Sequence, residues 1–95
     1  MSEHVSIADM PVDERPRERM MRGGAVALSD AELVALVIEP GRRGKSSLDI
    51  AREVVSDGLL ALARREWIPG KPVGSLGPGR VARIGAALEL GRRIA

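Results

Sequence analysis

Between Leu28 and Ile38 apolar residues fall on nearly every helical position, and this run carries a start signal. Ser29 and Glu32 are spaced as a capping box, in which the serine hydroxyl takes the N–H of Glu32 and the carboxylate returns to the N–H of Ser29. Leu28, just before the cap, is placed to staple against Leu33. Apolar over most of its circumference, the segment is expected to be the most buried helix. Glu39-Pro40-Gly41 ends it, since a residue before proline avoids helical geometry. Upstream, the acids Asp13 and Glu14 precede Pro16, and the pattern predicts two helical turns from Pro16 to Arg22. These turns offer Met20 and Met21 to the core and stop at Gly23-Gly24. Residues 1–12 show no periodicity and read as a mobile tail.

Downstream, Ser46 or Ser47 caps a helix running to about Ser56, with Asp49 in its first turn and Leu48, Ile50, Ala51, Val54 and Val55 inward. Gly58 separates it from a short helix, Leu59 to Glu66 or Trp67. Residues 68–74 hold two prolines and two glycines and exclude a regular helix. The last helix starts at Pro78 or Gly79. Val81, Ile84, Leu88 and Ala95 keep helical spacing, and Ala87, Leu90 and Ile94 widen the stripe. No segment alternates apolar and polar residues as a half-buried strand does. The expected fold class is all-α, a small bundle of about five short helices.

One stretch has a chemistry of its own. Ser75-Leu76-Gly77-Pro78-Gly79-Arg80 is a glycine-rich turn that runs straight into a helix. Unpaired N–H groups at that start, with the helix dipole, favour an anion. Arg80 and Arg83 share nearly one face of the helix. Ser75, Gly77, Gly79, Arg80 and Arg83 are therefore candidates for gripping a nucleic-acid phosphate. Arg42, Arg43 and Lys45 are a possible second contact, provided the fold brings their loop to the same side.

Composition narrows the reading. The 95 residues are 44% apolar, enough for one small core. Trp67 is the only aromatic, which disfavours base stacking on single strands. Without cysteine there is no disulfide or thiolate metal site, and the lone histidine, His4, cannot build a zinc centre. No cofactor, metal or catalytic set is expected. Gly44-Lys45-Ser46 mimics the end of a nucleotide-binding loop, but Glu39 stands where that motif needs glycine and a helix precedes it, so no nucleotide is expected. No apolar run suits a membrane span and no secretion signal is evident, so a cytoplasmic chain is expected. The formal charge of +2 hides an asymmetry: residues 1–40 hold four arginines against eight acids, residues 41–95 eleven Lys/Arg against five acids. A basic half suits a polyanion partner.

The blocks R-P-R-E-R-M-M at 15–21, L-S-D-A-E-L-V-A-L-V-I at 28–38, G-R-R-G-K-S at 41–46 and G-A-A-L-E-L-G-R-R at 85–93 resemble the N-terminal region of bacterial RadC-type proteins, over residues 13–95. The resemblance implies a single domain at 13–95 related to helix-hairpin-helix DNA-binding modules, and an association with DNA repair. It also implies a following JAB/MPN metalloprotease-like domain with a zinc-binding His-x-His…Asp pattern, which these 95 residues lack. In such modules a Gly-apolar-Gly turn presents backbone N–H groups to phosphate. Here Ser75 replaces the first glycine and prolines interrupt the preceding helix, so the hairpin near 68–80 is degenerate. If that position requires φ > 0, serine costs on the order of 1 kcal/mol.

Two functions follow as expectations. The first is a non-catalytic, non-sequence-specific DNA-binding module contacting the backbone of duplex or branched DNA through 75–80 and nearby Arg/Lys. The second is a protein-interaction or regulatory module that positions a JAB/MPN-type partner domain and no longer binds DNA.

Overall fold

The structure, a computed structural model, describes residues 15–68 and 70–95. The expected tail at 1–12 with His4, the acids Asp13 and Glu14, and Pro69 lie outside the described residues. Among those described, five α-helices and no strand form: α1 (Pro16–Gly23), α2 (Asp30–Ile38), α3 (Ser47–Val54), α4 (Leu59–Arg64) and α5 (Pro78–Ile94). A single 3₁₀ turn, Ala25–Ala27, joins α1 to α2. The fold is all-α.

Local chemistry explains most boundaries. Proline opens α1, and Gly24 with φ 76° closes it. The capping box of α2 is complete: Glu32 N–H donates to Ser29 Oγ at 3.2 Å, and Ser29 N–H donates to Glu32 Oε1 at 2.9 Å. Ser46, not Ser47, caps α3, and Asp49 N–H donates to its Oγ at 3.1 Å. Ser47 points its hydroxyl inward instead, 1% exposed and without a hydrogen-bond partner.

α2 packs against α3 and α5, with α1 against α2. The core joins Ala35 and Ile38 of α2, Leu48, Ile50 and Ala51 of α3, Leu62 of α4, and Val81 and Ile84 of α5, with Leu76 inserted from the loop. Each fully buried Ile, Leu or Val contributes about 1.5–3 kcal/mol relative to exposure.

The structure corrects five expectations. Met20 and Met21 are 38% and 78% exposed, and Pro16 is the one residue of α1 that is buried. α2 buries fewer of its residues completely than α3: Val34, Ala35 and Ile38 are buried while Leu33, Leu36 and Val37 are half-buried, and α3 buries half of its eight residues. α3 stops at Val54 rather than Ser56, where the Ser56 hydroxyl donates to Glu53 O at 2.8 Å and turns the chain. α4 stops at Arg64 rather than 66 or 67. Arg65 is extended there, and Trp67 folds back to donate its indole N–H to Leu62 O at 3.1 Å. Finally, Leu90 and Ile94 do not widen the buried stripe of α5; they are 62% and 83% exposed.

Candidate nucleic-acid interface

Two turns in this bundle share one hydrogen-bond pattern. Arg42 and Lys45 exchange both backbone bonds at 2.9 and 3.0 Å, and Val73 and Leu76 do the same at 3.0 and 2.8 Å. In each case the next residue is a helix N-cap: Ser46 before α3 and Gly77 before α5. The glycine that permits the reversal differs in place. Gly44, the second central residue, has φ 77°, whereas in the other turn the first central residue, Gly74, has φ 55°. No described non-glycine residue has positive φ, so Ser75 occupies its position without the strain that replacing a glycine would bring there. The repeat is invisible in the sequence because no residue is shared at equivalent places; only backbone geometry reveals it.

The two helix starts differ electrostatically. The third residue of α3 is Asp49, whose carboxylate lies at the capping N–H groups, so this start carries its own anion. The third residue of α5 is Arg80. No side chain caps α5, no acid lies in its first turn, and a Cβ at Gly77 or Gly79 would meet nothing within 4 Å. The start of α5 is open and positive on both counts.

Arg80 and Arg83 do more than supply charge. Arg80 donates Nε to Ile38 O at 3.2 Å and Nη2 to Pro40 O at 2.6 Å; Arg83 donates Nη1 to Glu39 O at 2.7 Å. They satisfy carbonyls left over where α2 ends and tie the first turns of α5 to the stretch of chain leading into Arg42–Lys45. The structure thus brings the predicted residues of 75–83 next to the segment that enters the first basic turn. Arg42 and Arg43 are exposed and form no salt bridge among the described residues, whereas Lys45 is engaged by Glu53. Ser75 and Gly77 are half-buried and Gly79 exposed, with Leu76 anchoring the turn at 1% exposure.

Other charges hold the frame. Arg19 pairs through Nε with the Glu32 carboxylate at 2.7 Å and donates Nη2 to Ala27 O at 2.7 Å, joining α1 to the start of α2. Partial burial works to raise the Glu32 carboxyl, but the Ser29 N–H and hydroxyl, with Arg19, outweigh it and hold it below the usual range. Glu39 accepts from Arg17, and that contact raises the Arg17 guanidinium. Among the described residues no group of three or more His, Cys, Asp or Glu could hold a metal ion. No described helix is long and apolar enough to cross a membrane.

A small all-α bundle with two like turns, each feeding a helix start, is the class these features define. Residues 7–80 match the family model "UPF0758 N-terminal". The chain belongs to the UPF0758 family, in keeping with the RadC-type motifs of its sequence. It is 44% identical over 89 residues to a UPF0758 protein of Thioalkalivibrio sulfidiphilus, covering 92% of this chain and 40% of that one. It is 45% identical over 93 residues to one from Halorhodospira halophila, with 94% and 41% covered. A third, from Moorella thermoacetica, is 43% identical over 93 residues, with 96% and 41% covered. The chain therefore spans about two fifths of the length of the curated relatives it matches. No solved structure matches it.

Proposed function

We propose that this chain is a non-catalytic module that holds DNA by its phosphates without reading sequence. The observation that carries this reading is the open, acid-free start of α5, tied by Arg80 and Arg83 to the chain entering an arginine-bearing turn. The N–H groups of Gly79 and Arg80 offer donors, Arg42 and Arg43 offer free charge, and the arginines at 80 and 83 keep part of their guanidinium edge. Backbone amides and arginines on phosphate position a duplex but carry no sequence information. The single aromatic argues for helix backbone over stacked single strands.

Anisotropy of a short labelled duplex, titrated with the chain across a salt series, tests this. Affinity should fall with salt by about 0.9 log unit per log unit for each phosphate engaged, equally for unrelated sequences. Reversing Arg80 and Arg83 is a poor control, since it also breaks the end of α2. Arg42→Glu with Arg43→Glu leaves every described bond in place and should weaken binding at least tenfold. No binding at low salt, or binding indifferent to that pair, rules the reading out.

A second reading, a module that positions a partner domain, is favoured by one observation: the exposed apolar side of α5.

A further inference from the structure

α5 outlasts the bundle it belongs to. Val81 and Ile84 in its first half are buried, while Leu90 and Ile94 beyond them are 62% and 83% exposed. At 100° per residue, Ile84, Ala87, Leu88, Leu90, Gly91 and Ile94 fall within about 160° of one another. Glu89, Arg92 and Arg93 occupy the opposite side, where both arginines bond Glu89, at 2.7 and 3.0 Å. The polar side is thus satisfied within the helix; on the apolar side Ile84 and Leu88 pack on the core, while Ala87, Leu90, Gly91 and Ile94 are exposed.

The stripe does not start on bare surface. It leaves an apolar groove of about 160 Å³ lined by Leu33 and Val37 of α2, Leu62 of α4, and Ile84, Ala87 and Leu88 of α5. Gly91 and Ile94 extend it by one and two helical turns beyond Ala87. Leu33 and Val37, both half-buried, belong to the same surface.

What covers it is indicated by the relatives. The matching family model is described as N-terminal, and the chain spans about two fifths of the relatives' length. A domain described as N-terminal has the rest of such longer chains after it, so whatever folds beyond the counterpart of α5 is tethered next to the stripe. A short tether gives an effective concentration on the order of millimolar, which makes even a modest apolar contact persistent.

We propose that this stripe is the docking surface for the domain that follows in such longer chains, which seats an apolar ridge in the groove and along Leu90 and Ile94. The proposal rests on the partner-positioning part of the second reading above and holds whether DNA contact is kept or lost.

The test is hydrogen exchange of α5 amides in the isolated chain and in a chimera. The chimera carries this chain in place of the matching 89 residues of the Thioalkalivibrio sulfidiphilus relative. Amides of 85–95 should exchange about tenfold more slowly in the chimera. Leu90→Asp with Ile94→Asp, both at exposed positions, should abolish that slowing while leaving the isolated chain's exchange unchanged. Equal exchange in chimera and isolated chain overturns both the surface and the reading beneath it. Slowing that survives the double substitution overturns the surface and leaves the reading standing. Sedimentation showing the isolated chain as a dimer that Leu90→Asp with Ile94→Asp dissociates makes a second copy the occupant and also overturns the proposal. If the chimera does not fold, the same substitutions at the matching positions of the full-length relative give the same readout.

Discussion

Ser46 and Ser47 are adjacent, both buried and opposite in consequence. The Ser46 hydroxyl accepts the Asp49 N–H, whereas the Ser47 hydroxyl is buried without a partner. Ser46→Ala should cost about 1 kcal/mol in urea unfolding. Ser47→Ala should be neutral or stabilising by up to about 1 kcal/mol, since it removes a buried unsatisfied group. A second contrast tests the turn. Gly74→Ala forces a side chain into φ 55° and should cost about 1–2 kcal/mol, while Gly77, at φ −75° with open space around it, should lose only the difference between glycine and alanine at an N-cap, about 0.5 kcal/mol. Glu32 supplies a pH dependence. Its carboxyl is held below its unfolded value, so its contribution to stability is complete above the unfolded pKa and is lost as pH falls through the folded one. Acid titration of unfolding should show that loss in the native chain and lack it in Glu32→Gln.

At the scale of elements, the helices are legible in the sequence and their ends only partly so. Ser29 with Glu32, and Pro16 with the glycines after it, are local devices, and a local device can be read in order along a chain. The end of α4 is not legible, because it depends on Trp67 reaching back to the Leu62 carbonyl, a contact decided by where α5 lies. The charge on Arg80 and Arg83 is legible, but their hold on Ile38, Glu39 and Pro40 is not, since no pattern links residues so distant in sequence. That hold couples two elements, and its removal has a stated cost. Arg80→Ala should destabilise the fold by about 1–2 kcal/mol, and Arg80→Lys should not restore it, since one ammonium cannot reproduce the fork across two carbonyls. The chevron of each variant against the native chain measures both.

For the molecule as a whole, one bundle carries two surfaces, each proposed for a separate task. The basic one is formed where the start of α5 meets the chain entering Arg42–Lys45; the apolar one leaves the bundle along the far half of α5. In one dimension the hairpin looks damaged. In three, Ser75 is unstrained, Gly74 carries the reversal, and the helix start that follows is the more open of the two. Everything proposed for the basic surface depends on that start meeting phosphate. Backbone amide shift mapping of the isolated chain, titrated with a short duplex at low salt, measures this residue by residue. Shifts should centre on Gly77–Arg80 and Arg42–Gly44 and vanish as salt rises. A titration that leaves those amides unmoved, or moves only Leu90–Ile94, contradicts the assignment.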